Sequence, residues 1–381
     1  MRLALAAVLG ASLLVVGCSS SDKKEPQPMA LEKIQEEVTL NKVWSRSVGN
    51  GQGKLYNRLV PAVYGDQIYV AGADGEVSSI DRHSGKVVWS KKLKEPVSGA
   101  ISAAYGKVLI GTLKGDVIAL DVSDGDELWR HNVAREVLAA PISNGDRVIV
   151  QTQDDSLIGL DESTGSQVWI LENSPAVLTL RGTSTPLVTN DVVYAGLSTG
   201  KIIAVEAQRG LPIWEQRIAI PQGRSELERI VDVDGDLTLL DGKLYAASWQ
   251  GRAAVLDANS GQVLWQRDAS TNSGLAQGYG SVYLSLADGT VEAIDERSNT
   301  VLWTNESLLR RQLTPPTAYS SYVAVGDLEG YVHLLSQVDG RFVGRTRADS
   351  NGLRSAFVAD GDWLYTYGNG GTLSAFNIKQ K

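Results

Sequence analysis

The sequence predicts an all-β fold, a single eight-bladed β-propeller with four antiparallel strands per blade. Three observations predict it. A tryptophan-ended unit recurs about every 40 residues, tight-turn chemistry stands at fixed places inside each unit, and incomplete units at the two ends complement each other.

The unit is clearest in residues 61–89, PAVYGDQIYVAGADGEVSSIDRHSGKVVW. Gly65, the pair Asp74-Gly75 and the loop Asp81 to Gly85 separate four short runs of β-formers. The terminal Trp returns at Trp44, Trp129, Trp169, Trp214, Trp265 and Trp303, and Gly344 takes its place once. A matching loop precedes most copies, as in Asp121 to Gly125, Asp161 to Gly165 and Asp257 to Gly261, with weaker forms at Glu206 to Gly210 and Asp295 to Asn299. A large aromatic at a fixed place is inter-blade packing, because a lone four-stranded sheet cannot bury both of its faces.

Three-strand portions begin near Pro61, Ala100, Pro141, Pro186, Asp236, Ala276, Pro316 and Ala356. The last lacks a Trp strand, and the first Trp strand, 43–48, lacks a copy before it. The two orphans are expected to pair and close the ring, which removes the open edges of a linear stack.

Along the chain, residues 1–17 read as a signal peptide: Arg2, then the uncharged, largely apolar run Leu3 to Val16, too short to span a bilayer as a helix. The run ends in Val-Gly-Cys-Ser (16–19), similar to a bacterial lipoprotein signal, which implies cleavage before Cys18 and its acylation. In such lipoproteins Ser19, rather than Asp, favours the outer membrane. Residues 18–40 are expected to form the lipidated N-terminus and a flexible tether, with Leu31 to Leu40 either a short helix or more tether, and residues 41–381 the propeller.

The formal net charge of −8 argues against nucleic acid or an anionic membrane surface as partner; membrane attachment is through the lipid alone. Cys18 is the only cysteine, so the domain carries no disulfide. No catalytic residues, cofactor or metal site are expected. His83, His131 and His333 lack a second ligand at metal spacing, and 232–236 (Asp-Val-Asp-Gly-Asp) opens like a calcium loop but has Lys243 where a bidentate Glu is needed. Its carboxylates read instead as solvated or partner-facing. No nucleophile turn or phosphate loop is present.

The interruptions of the repeat are where function is expected. The longest interior steps place extra residues after the Trp strand and before the next inner strand, at 171–185 and 216–235. Such connections emerge on one face, so the two form one patch. Leu178, Leu180 and Arg181 combine apolar anchors with a forked cation, the residue mix of interface hot spots. The alternative is that the leucines alternate inward along a strand while Arg181 pairs internally with Asp232 or Asp234.

The Trp-ended unit resembles the repeat of quinoprotein dehydrogenases, but a chain whose single Cys is spent on lipid lacks the adjacent cysteines those enzymes hold against their cofactor. The resemblance leaves one alternative function: an enzyme or sensor binding a small redox ligand in the central channel. The leader, the eight repeats, LTLRGTSTP (178–186), SELERIVDVD (225–234), DLEGYVHL (327–334) and DGRFV (339–343) together resemble the BamB family, propeller subunits of the outer-membrane β-barrel assembly machinery. That resemblance implies a non-enzymatic lipoprotein on the periplasmic face of the outer membrane, with the two loops docked on the POTRA domains of BamA through Leu178, Leu180, Arg181, Asp232 and Asp234. Other assembly-machine subunits would be met indirectly. Unfolded outer-membrane proteins could add a strand to blade edges by augmentation, which charged outer strands such as 86–92 oppose.

Overall fold

The computed structural model describes residues 26–180, 182–271 and 273–380. Cys18 and Arg181 lie outside the described residues. Among the described residues there are eight four-stranded antiparallel sheets and no helix.

Seven sheets run in sequence order from inner to outer strand; blade 1, for example, is Ala62–Tyr64, Gln67–Ala71, Glu76–Asp81 and Val87–Lys92. The eighth consists of Val358–Asp360, Trp363–Tyr367 and Thr372–Gln380, with Val38–Ser47 as its outer strand. Ring closure is therefore as the complementary ends predict, through a ladder from Val38↔Gln380 to Ser47↔Thr372. The closing strand is longer than expected, since Val38 to Leu40 already belong to it.

Second and third strands alternate into both neighbouring blades and are almost wholly buried, as in Val108, Leu109 and Ile110. Every third-to-outer pairing carries a bulge immediately before the Trp position, as between Ser79 and Ile80 opposite Val87 and Trp89. Two residues opposing one sharpen the local twist and aim the indole at the next blade. The indole N–H then donates across the blade boundary: Trp89 to Val122 O at 2.9 Å, Trp129 to Glu162 O at 3.0 Å, Trp303 to Gln337 O at 2.9 Å. Beneath it lies the loop glycine. A Cβ on Gly165, which has φ +69°, would sit 2.4 Å from the Trp129 ring, so the seat admits only glycine.

The exception at Gly344 has a structural cause. The outer strand of blade 8 comes from the chain start, so that blade has no third-to-outer loop and offers no seat for an indole. The space is filled by the closing strand, and a Cβ on Gly344 would lie 3.0 Å from Val38 O.

The N-terminal segment departs from the expected tether. Residues 26–36 form neither helix nor strand, yet they run along blade 7 with repeated hydrogen bonds to it.

Candidate docking rim

Each outer strand leads to the next inner strand across the same end of the ring, which also carries the turns between second and third strands. The longest connections at this upper rim are 48–61, 172–186 and 218–237. Tyr56 and Arg58 line one hollow together with Gly182 and Thr183, and another together with Gln312, Leu313 and Arg354. Below them a hollow of about 210 Å³ is lined by Arg58, Ala100, Ala140, Thr185, Asp234 and Asp236, among others.

The first connection contains no strand from 172 to 186, and it is laid over a buried polar scaffold. Asn173 Nδ2 donates to Asp155 O at 2.8 Å, and Ala176 N to Ser198 Oγ at 2.9 Å. Ser198 in turn donates its Oγ–H to the Asp155 carboxylate at 2.6 Å, and its N–H to the same group at 3.1 Å. Leu180 N donates to Asp232 Oδ2, and Thr185 N to Asp236 Oδ1 at 3.0 Å. These bonds turn Val177 and Leu178 outward, 90% and 40% exposed, while Leu180 is half-buried.

The second connection divides in two. Its first part, residues 222–229, is exposed and held from within by the Glu228 carboxylate, which accepts Arg224 N at 2.6 Å and Ser225 N at 3.1 Å. Gln250 Nε2 ties it to blade 5 through Leu227 O at 3.1 Å. Ile220 and Leu227 stand 59% and 67% exposed. Its second part, 230–235, is buried.

Asp232 and Asp234 are therefore neither solvated nor on the surface, contrary to the reading of 232–236 as exposed carboxylates. Asp232 is 0% exposed and Asp234 8%. Burial pushes the Asp232 carboxyl up to about 8, with the neighbouring Asp234 charge adding to it and the Leu180 N–H opposing it. Burial likewise raises Asp234 to about 7 against the pull of Arg58, and raises Asp155 against its bonds from Ser198. Three acids crowd one dry region, where a second negative charge is costly. Asp232 Oδ1 accepts no hydrogen bond among the described residues. Nor does any group of three or more His, Cys, Asp or Glu among them make a metal cage.

Of the five candidate residues, the structure brings Leu180 and Asp232 into contact, sets Asp234 against Gly182, and leaves Leu178 outward. Sequence reasoning passed over Asp155 and Ser198. A signal was there: Asp155, with φ +63°, stands where blades 1 and 2 have Gly75 and Gly115. A non-glycine residue in that backbone conformation is uncommon, and Asp is among the residue types that adopt it most readily.

Fold and rim together define an all-β propeller whose longest connections gather on one face. A family model described as outer membrane protein assembly factor BamB matches residues 33–102, 73–305 and 287–380. The chain belongs to the BamB family. The BamB of Pseudomonas aeruginosa is 64% identical over 374 residues, covering 98% of both chains. The crystal structure of BamB from Moraxella catarrhalis superposes with a TM-score of 0.81 at 29% identity, over 89% of this chain and 99% of that one. A europium-containing methanol dehydrogenase, at TM-score 0.75 and 15% identity over 89% of this chain and 93% of its own, shares the fold alone.

Proposed function

We propose that this chain acts in outer-membrane protein assembly as a non-enzymatic scaffold, anchored through Cys18 to the periplasmic face of the outer membrane and docking its upper rim on the POTRA domains of BamA. Its relatives are named assembly factors, an accessory rather than a catalytic role. The observation that carries the docking reading is the meeting of the two long connections through Leu180 N and Asp232, connections that between them expose the apolar side chains Val177, Leu178, Ile220 and Leu227. Exposed apolar patches on a soluble surface mark contact sites. Leu178 and Arg181 make the contact. Leu180, Asp232 and Asp234 act beneath it, holding the loop in its shape.

The test is capture of BamA from detergent-solubilised membranes by the full-length lipoprotein. The double variant Leu178→Ala, Arg181→Ala should lose about 2–5 kcal/mol of binding while melting with the parent protein. Undiminished capture would overturn the assignment of this rim. Co-purification with other subunits but not BamA would overturn the partner.

A further inference from the structure

The N-terminal segment runs the height of blade 7. Glu37, just before the closing strand, donates its N–H to Val343 O at 2.8 Å, and its carboxylate takes a two-pronged contact from Arg341 at 3.0 and 2.9 Å. Midway, Arg345 Nη1 donates to Glu32 O at 2.8 Å. At the top, Met29 N donates to Leu309 O at 3.0 Å, while Arg310 Nε reaches Gln27 O and Arg311 Nη1 reaches Met29 O, each at 2.8 Å. Met29, Leu31 and Ile34 turn inward, and Leu31 packs on the core around Trp303 and Leu308.

The arginines are themselves locked from below. Arg311 is 2% exposed and donates to Asp327 Oδ2 at 2.8 Å. His333, 0% exposed, lies between that same oxygen at 2.9 Å and Arg345 Nε, which donates to its Nδ1 at 2.9 Å. Accepting at Nδ1 leaves the proton on Nε2, toward Asp327, and burial keeps the ring neutral. Val343, which shares a core cluster with Val38 and Leu40 of the closing strand, is 1% exposed, whereas the residue before Trp in the other blades is 41–51% exposed.

Leu309 to Gln312 belong to the connection from blade 6 to blade 7, on the upper rim. The chain thus enters the propeller at the rim that carries the docking loops, not at the far rim where the closing strand begins. We propose that residues 26–37 are a strap that fixes the exit of the membrane tether at the docking rim and holds that rim toward the lipid surface. This rests on the reading of Cys18 as the anchor. Only about eight residues separate Cys18 from Pro26, a maximum reach of about 26–29 Å. With the strap detached, about twenty residues would separate the anchor from Val38, and the exit would move to the opposite rim. The local concentration of the rim near the membrane would fall roughly four-fold, as the −3/2 power of tether length.

The experiment uses the full-length lipoprotein in phosphatidylethanolamine–phosphatidylglycerol vesicles carrying a headgroup acceptor dye. A donor is placed on Leu227→Cys at the upper rim or on Tyr279→Cys at the lower rim, both exposed. Energy transfer should be stronger from position 227, and the Met29 and Glu37 amides, which donate to Leu309 O and Val343 O, should exchange slowly. Leu31→Asp with Arg341→Ala should free those amides and reduce or reverse the difference between rims. A Gly-Ser insertion between Cys18 and Pro26 should weaken transfer from both rims without changing their order. Free-chain exchange at Met29 and Glu37 in the parent protein, equal or stronger transfer from position 279, or an unchanged difference in the freed strap would each overturn the proposal. Vesicle flotation reports the anchor separately, and BamA capture in detergent, which the strap variant should leave at the parent level, reports docking separately.

Discussion

Trp129 and Leu180 sit in two regions of one ring that are held by different physics. At Trp129 an aromatic plate closes on a glycine of the next blade and donates one hydrogen bond across the boundary, and the arrangement recurs around the ring. At Leu180 a loop without repeat structure hangs from a buried carboxylate beside two others. The first region is apolar and local in its sequence pattern. The second is polar, assembled from blades 3, 4 and 5, and carries unfavourable charge that only the folded arrangement imposes. A scaffold can hold stability in one set of contacts and shape a docking surface with another.

The largest effect is expected where the indole crosses the blade boundary. Trp129→Ala should cost about 3–5 kcal/mol in chemical denaturation, because a buried indole is lost from a blade boundary that cannot collapse. The folded fraction should still capture BamA normally. A loss below about 1 kcal/mol would mean that the corners do not carry the ring.

At the rim, Asp232→Ala removes the acceptor of Leu180 N and should cost about 1–3 kcal/mol, with BamA capture reduced. Asp232→Asn keeps an acceptor and removes the charge. For this acid the folded value, pushed up to about 8, lies above the unfolded one of 3.8, so the folded state binds the extra proton. The stability it contributes is present at acid pH and lost as pH rises from about 4 through 8. Asp234, raised to about 7, adds the same sign, with Asp155 and Arg58 the other charged groups facing the pair. The parent protein should therefore lose stability between pH 5 and pH 8 relative to Asp232→Asn, measured by denaturation at each pH. Parallel profiles would show that the pair shares no such penalty.

The smallest effect sharpens the corner from outside. Val168, the bulge residue before Trp169, is 47% exposed, and Val168→Ser should change stability by less than about 0.5 kcal/mol. A large loss there would show that the outer strands are covered by something other than solvent.

Turn chemistry and the terminal tryptophan made the blades, their number and the closing pair legible, since each lies within one unit or repeats at fixed spacing. The long connections were legible as departures from that spacing, and propeller geometry sends both to one rim. Gly344 was legible as an exception without its cause, which is the missing loop of a blade assembled from both chain ends. The reading of 232–236 went astray because two acids in a polar run look solvated until neighbouring blades bury them. Residues 27–37 likewise look like tether, since their partners Leu309, Arg311, Arg341 and Arg345 stand about 280 to 310 positions away.

The sequence by itself determined a closed ring of eight like sheets and the segments that leave the pattern, because hydrophobic alternation and turn residues act over a few positions. Only the tertiary structure decided which of those residues face a partner, which are buried beneath them, and where the tether leaves the ring. Burial and the energy of a charge depend on neighbours from other blades, and no spacing along the chain records them.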